Sequence, residues 1–233
     1  MFQFAIRTAV LFVILAPAAT GCFAQVGDYL TAQEEAVCKT DFKIRESTGH
    51  DEVSLRGFAW PCSQAMLGRQ KAEFAALRKS MRSRGGQEAR AYEALLAAFL
   101  NYHTRFLDYS TRTCAGGTGC GVFSAMDEVH DNRDFLAITN EIKDGAFPIS
   151  SPLDLSAADD SLNKTYQAAL KAIACPLVMT GEIPPCDEDL RVVERAWVRY
   201  RDAWVTAAAV LWPRVDADSL GTFLTRQRIH ELF

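Results

Sequence analysis

The most constraining feature of this sequence is an apolar repeat of three and four residues, which runs through nearly the whole chain after residue 25. This period places apolar side chains on one face of an α-helix, and no segment shows the alternation of a half-buried strand. Aromatic residues carry the repeat in two stretches. One contains Tyr92, Leu95, Leu96, Phe99, Tyr102, Phe106 and Tyr109, and the other Val193, Trp197, Tyr200, Trp204, Ala208 and Leu211. The pattern predicts an all-α fold.

Glycine and proline divide the first half of this pattern into helices. Pro61 is predicted to open one helix and Gly85-Gly86 to stop it, because proline suits the first helical turn and glycine the residue after the last. Gly116-Gly117 ends the aromatic helix that follows. The helices predicted for this half cover about 29–45, 61–84, 87–113 and 122–143.

Residues 144–155 are predicted to form a linker, since glycine, proline and serine interrupt the period there. Ser156 is predicted to cap the next helix, with Asp159 three residues on as the acidic half of a capping box. The acidic run at 187–189 favours a helix start, because negative charge is stabilised at a helix N-terminus. Pro213 stops that helix, and a last one is predicted over about 218–233.

The halves on either side of the linker resemble each other. In an alignment of the two halves, residues 99–103 match 197–201, and residues 129–133 match 224–228. The interval from Phe99 to Arg133 is 34 residues, and that from Trp197 to Arg228 is 31. We therefore interpret 25–143 and 156–233 as two related helical units of about three helices each.

The amino terminus has the features of an export signal. Arg7 is the only charged residue before Asp28, and the apolar run over 9–16 is shorter than the roughly 20 residues that span a bilayer. Cleavage after Ala24 is predicted, which leaves residues 1–24 as a signal peptide and releases a periplasmic or secreted chain. The alternative is acylation of Cys22, which follows a loose lipoprotein box over 19–22. The chain would then be an outer-membrane lipoprotein.

Either route removes Cys22 from the thiol pool and leaves an even number of cysteines, which suits disulfides in an oxidising compartment. Local geometry favours the pairs Cys114–Cys120 and Cys175–Cys186, and elimination leaves Cys38–Cys62. The competing map links the two halves, for example Cys62 with Cys175. No pair of cysteines has the spacing of a zinc knuckle, so neither a metal nor another cofactor is predicted.

The charge of the chain bears on its partners. Removal of residues 1–24 takes away one arginine, so the formal charge changes from −4 to −5. This balance disfavours nucleic acid and anionic membrane surfaces as partners and is compatible with a basic protein. A basic stretch between Arg69 and Arg90 is interpreted as a solvated helix face rather than a surface for an anionic partner. His50-Asp51-Glu52 lacks a spaced partner, which argues against a metal site.

Three blocks of the second half resemble the LprI-like family, small secreted bacterial proteins named after a proposed lysozyme inhibitor. Residues 160–166 (DSLNKTY) look like that family's D-x-L-N-x-x-Y. Residues 194–202 (ERAWVRYRD) look like its Q-R-A-W-x-x-Y-R-D, and residues 224–232 (LTRQRIHEL) like its L-T-x-x-R-x-x-E-L. The first half matches more loosely, with Gly116-Gly117-Thr118 at a family turn and Arg133 in place of the closing arginine.

The resemblance implies a protein-binding inhibitor of lysozyme or of a similar wall-lytic enzyme. An immunity protein against a periplasmic toxin and a hydrolase with an unrecognised carboxylate site are the alternatives. A small-ligand carrier would need a large apolar pocket between helices. The chain has no G-x-S-x-G, H-E-x-x-H or P-loop motif, and we therefore expect it not to be an enzyme.

Five residues of these blocks are candidates for the partner-binding or structural motif: Trp197, Tyr200, Arg201, Asp202 and Arg228. Trp197 and Arg201 share one helix face, because they are four residues apart. Structurally, we expect Trp197 in the core, and Asp160 and Asp202 as carboxylate partners for the two arginines. The functional interpretation is an arginine–aromatic patch that binds a partner, since arginine, tryptophan and tyrosine dominate interface hot spots.

Overall fold

The structure is a computed structural model that describes residues 51–113, 120–144, 150–173 and 186–232. The described residues form helices and connections and contain no strand, which confirms the all-α prediction. The helices are α1 (Asp51–Arg84), α2 (Gly86–Thr113), α3 (Cys120–Asp144), α4 (Pro152–Ala172), α5 (Asp187–Leu211) and α6 (Ala217–Glu231).

Two predicted helix starts are wrong. The helix predicted to open at Pro61 begins at Asp51, and Pro61 lies in its interior. Proline deprives a helix of one amide donor, which does not prevent the preceding turns from being helical. The helix predicted to start at Ser156 begins at Pro152, so residues 152–155 are not linker. The helix predicted over 29–45 lies outside the described residues.

A capping box at Ser151 explains the early start of α4. The amide of Asp154 donates to Ser151 Oγ over 3.3 Å, and the amide of Ser151 donates to Asp154 Oδ2 over 2.8 Å. The bond from the Ser151 amide lowers the pKa of Asp154 below its usual range. Pro152 follows at the first helical position, where its missing amide hydrogen costs nothing. The capping pattern that Ser156 also offers therefore lies one turn inside the helix.

The turn between α1 and α2 forms where the glycine pair predicts it. Gly85 and Gly86 have φ angles of 71° and 54°, in the left-handed region that other residues adopt at a cost. The amide of Gly85 donates to the carbonyl of Arg82 over 3.1 Å and so closes the last turn of α1. This turn brings α2 back against α1.

The two aromatic helices, α2 and α5, make the most extensive helix contact of the described structure. On either side of them, α1 packs on α3, and α4 packs on α6. We call α1–α3 the N-terminal unit and α4–α6 the C-terminal unit. The first helix of each unit packs on the third, as two related units would arrange them, while duplication itself stays a prediction.

Aromatic rings fill the contact between the units, as their periodicity predicts. Trp204 and Phe99 are 0% and 1% exposed, and both contact Phe135 of α3, with ring centroids 5.1 Å and 4.7 Å away. The ring of Tyr102 stacks on that of Tyr200. Burial of such rings removes large apolar areas from water, at about 25 cal/mol per Å². The core is therefore shared between the two units.

The predictions about the cysteines and the amino terminus also lie outside the described residues, in whole or in part. Each predicted disulfide has at least one cysteine there, so the disulfide map stays a prediction. The signal peptide over 1–24 and the alternative at Cys22 also lie there. Across the part of the chain that the structure describes, no helix combines the length and the apolar character that crossing a bilayer requires.

Candidate protein-binding site

Arg228 of α6 is the most buried charged side chain at the contact between the units, with 1% exposure. Its guanidinium donates to Glu194 of α5 from both Nε, over 3.0 Å, and Nη2. Nη1 donates to Glu231 Oε2 over 2.7 Å and to the hydroxyl of Tyr102 over 3.1 Å. Tyr102 belongs to α2, so this cluster joins the two units.

Helix spacing and charge explain why this cluster forms. Arg228 and Glu231 are three residues apart and lie on one face of α6. The rings of Tyr102 and Phe106 lie 5.5 Å and 5.8 Å from the guanidinium carbon, within cation–π range. Burial by itself would lower the pKa of Arg228, but Tyr102 and the two carboxylates raise it well above its usual value. Arg228 therefore stays charged and is shared by two carboxylates.

A second buried polar pair lies between α2 and α3. His103 Nδ1 and Asp131 Oδ2 are 2.8 Å apart, and their side chains are 9% and 8% exposed. Burial raises the pKa of Asp131 to about 6, although the hydrogen bond with His103 opposes this rise. The Asp131 carboxyl therefore loses its proton about two pH units above a free aspartate.

A pocket opens between α2, α3, α5 and α6, beside both polar clusters, and we call it the junction pocket. It has a volume of about 20 Å³, enough for one water-sized group. Its apolar and aromatic walls are Phe99, Tyr102, Ile138, Trp197, Tyr200 and Leu224. Its polar lining consists of Asp131, Asp134, Gln227 and Glu231.

The carboxylates that line the junction pocket differ in solvent exposure. The side chains of Asp134 and Glu231 are 21% and 23% exposed, whereas Asp131 is buried. Gln227 Nε2 donates to Asp134 Oδ2, and Arg133 Nη2 lies 3.1 Å from Asp134 Oδ1. Asp134 and Glu231 are thus held in place while remaining accessible from outside.

Arg201 of α5 forms a separate cluster with α4 and α6. Its Nη1 donates to Asp159 Oδ1 over 2.6 Å and to Thr225 Oγ1 over 3.2 Å. Its guanidinium carbon lies 5.5 Å from the ring centre of Trp197. Asp159 therefore pairs with Arg201 in place of the expected Asp160. Asp202, the other expected partner, is exposed and lies 3.4 Å from Arg201 Nη2.

The candidate motif residues thus separate by depth. Trp197, Tyr200 and Arg228 are 3%, 7% and 1% exposed and hold the units together. The Arg201 side chain is 18% exposed, and that of Asp202 is 63% exposed and faces solvent. The prediction that Asp160 or Asp202 pairs with Arg228 is wrong. The carboxylates that pair with Arg228 are those of Glu194 and Glu231.

Sequence reasoning missed the polar residues that surround the junction pocket. Glu194 and Glu231 fall inside the quoted blocks, so their presence beside a motif arginine was an available signal. His103, Asp131 and Asp134 carry no such signal, since their meeting depends on how α2 and α3 pack. The pocket itself needs four helices and has no local pattern.

The basic stretch is largely paired within its own surface. Arg78 Nη2 and Arg82 Nε lie 2.6 Å and 2.8 Å from the Glu93 carboxylate. Hydrogen bonds from the two arginines, with that from Arg78 the larger cause, lower the pKa of Glu93 to about 2. Arg69 and Arg84 pair with glutamates four residues on. These pairs favour the solvated-face interpretation.

Metal binding finds no support in the described residues, where no group of three or more His, Cys, Asp or Glu side chains is placed to hold an ion. This includes the three carboxylates of the junction pocket. The side chains of residues 50–52, for which the sequence disfavours a metal site, lie outside the described part.

A family model described as Lysozyme inhibitor LprI matches residues 151–232. The match begins at the residue that caps α4, covers the C-terminal unit, and contains all three blocks on which the resemblance was based. It therefore confirms that resemblance for about the last third of the chain. No curated protein and no solved structure matches the chain.

Proposed function

We propose that the mature chain is an exported protein that binds and inhibits a lysozyme or a similar wall-lytic enzyme. The observation that carries this proposal is the match of the C-terminal unit to a lysozyme-inhibitor family. A protein partner also agrees with the acidic charge of the mature chain, which favours a basic partner.

The depth of the motif residues indicates which parts can contact a partner. Arg228, which is 1% exposed, stabilises the contact between the units and is inaccessible to another protein. Accessible polar groups remain at the junction pocket and around Arg201, where Asp134, Glu231 and Asp202 are all at least one-fifth exposed. Recognition is therefore assigned to these two neighbouring surfaces rather than to the motif as a whole.

The junction pocket favours an inhibitor over the enzymatic alternative. A glycosidase needs two facing carboxylates and room for a sugar ring, and a small-molecule site typically has about 300–1,000 Å³. The junction pocket has a volume of about 20 Å³. It is too small for either a substrate ring or a carried ligand.

The proposal is tested by muramidase activity on suspended cell walls, with purified mature protein added in rising amounts. We expect activity to fall as the protein approaches an equimolar ratio, and surface-immobilised protein to bind hen lysozyme. Cytochrome c, a basic protein of similar size without muramidase activity, is the control for binding through charge alone. Unchanged muramidase activity at a large molar excess would sink the proposal.

A further inference from the structure

The junction pocket carries more negative than positive charge. Four carboxylates lie in or beside it, on Asp131, Asp134, Glu194 and Glu231. The guanidiniums that contact them are those of Arg228, shared by Glu194 and Glu231, and Arg133, beside Asp134. The imidazoles of His103 and His130 complete the set, 2.8 Å from Asp131 and 3.5 Å from Asp134. With both imidazoles neutral, the four carboxylates and two guanidiniums have a net charge of −2.

The walls of the pocket suit a cation with an apolar stem. Tyr102, Trp197 and Tyr200 line it with aromatic side chains, which offer apolar surface to the stem of a lysine. The side chains of Phe99, Ile138 and Leu224 add apolar surface against which methylene groups pack. An anion would be repelled by the carboxylates of the lining.

Size separates the possible cations. A volume of about 20 Å³ accepts one water-sized group, and an ammonium group is close to that size. A planar guanidinium is several times larger and needs a fork of paired acceptors. Asp134 and Glu231, the more exposed carboxylates, are placed to accept hydrogen bonds from an entering ammonium group.

From this combination we propose that the junction pocket receives the ammonium group of one lysine side chain of the partner protein. The proposal rests on the proposed function, because it names the chemistry by which the inhibitor recognises its basic target. The aromatic rings contact the lysine methylenes, and the ammonium group donates to Asp134 and Glu231. Binding then requires a lysine that protrudes from the surface of the target.

Affinity for hen lysozyme, measured by isothermal titration calorimetry, tests this with pocket variants and altered targets. Asp134→Asn and Glu231→Gln should each weaken binding about 10-fold or more, whereas Asp108→Asn, the same charge change at an exposed position of α2, should alter it less than 3-fold. Thermal melting of each variant verifies folding, and Asp134→Asn leaves the Arg228 cluster intact. Lysozyme with acetylated lysines should bind weakly, and so should guanidinated lysozyme, which keeps its charge but carries larger groups.

The outcomes separate the pocket from the function. If the wild-type protein binds lysozyme and the pocket variants bind it as well as Asp108→Asn does, the pocket proposal is overturned while the inhibitor proposal stands. If the wild-type protein binds no lysozyme, n-butylammonium is titrated against the protein by NMR. Saturable shifts at the amides of Tyr102, Gln227 and Glu231, absent with n-butylguanidinium, support the pocket, and unchanged amides refute it.

Discussion

Tyr102 and Tyr200 stack face to face across the contact between α2 and α5, with ring centroids 5.4 Å apart and planes within 6°. The two residues occupy matching positions in the two halves of the sequence, so each unit contributes the same residue to their common core. Tyr102 does more than stack, because its hydroxyl also accepts a hydrogen bond from Arg228. This difference between ring and hydroxyl can be measured.

Tyr102→Phe should keep the stack and leave one Arg228 donor without its partner in a buried site. We expect the free energy of unfolding to fall by about 1–2 kcal/mol, measured by urea denaturation. Tyr92→Phe is the matched control on the same helix, since the Tyr92 hydroxyl is buried and has no partner among the described residues. It should be neutral or slightly stabilising, and equal losses in both variants would contradict the role given to the Tyr102 hydroxyl.

Arg228→Met should be strongly destabilising, because it leaves the Glu194 carboxylate buried without a counter-charge. The expected loss is about 3–5 kcal/mol in the free energy of unfolding. Replacing both partners, as Arg228→Met with Glu194→Leu, should recover part of that loss, since an apolar pair needs no compensation. A double variant as unstable as the sum of the single variants would show that the two side chains do not interact.

Asp131→Asn should reveal the burial of the wild-type carboxyl through pH. The folded-state pKa of Asp131 is raised from 3.8 to about 6, so the folded protein binds this proton more tightly than the unfolded chain. The resulting stabilisation is present below about pH 4 and is lost as pH rises through about 6. The asparagine side chain does not ionise, so the variant lacks this loss. Its free energy of unfolding should therefore rise relative to that of the wild type by on the order of 2–3 kcal/mol as pH increases through this range.

Urea denaturation of both proteins between pH 4 and pH 8 measures this gain. Repeating the pair in a His103→Gln background separates the carboxyl from the imidazole that contacts it. A stability difference that does not change with pH would mean that Asp131 ionises as it does in an unfolded chain.

Arg201→Ala tests whether the second arginine is structural. It removes the ion pair with Asp159 and the contact with the Trp197 ring, and we expect a loss of about 1–3 kcal/mol. The loss should lie near the lower end, because the Asp159 side chain is 45% exposed. Arg195→Ala, on the same helix but in an exposed pair with Glu188, should cost less than about 0.5 kcal/mol. An Arg201→Ala protein with wild-type melting and no target binding would assign Arg201 to recognition instead.

The helices could be predicted from the sequence because their signals are local. The stripe from Val193 to Leu211 gives both the position of α5 and the face that it buries, and glycines 85 and 86 mark a turn that forms as predicted. The start of α4 was misplaced because Ser151 and Ser156 both offer a capping pattern. Only Ser151 precedes a proline, and this second signal decides between them.

Partners across helices could not be predicted in the same way. Asp159 and Asp160 differ by one position, which rotates a side chain by about 100° around the helix axis. Whether Arg201 meets one or the other therefore depends on the rotation of α4 against α5. Glu194 likewise becomes a partner of Arg228 only when α5 and α6 pack at one register. Pattern determines the face of each helix, and packing determines which charges meet.

The bond between Arg228 and Tyr102 has a consequence for inheritance. The deepest charge of the matched segment, residues 151–232, has one of its acceptors encoded 126 codons upstream, outside that segment. The C-terminal unit expressed alone would lack the Tyr102 hydroxyl beside Arg228. It would also expose a face of aromatic rings to water. Recombination that separated the units would leave Arg228 with Glu194 and Glu231 but without the Tyr102 hydroxyl, and would uncover the shared aromatic core.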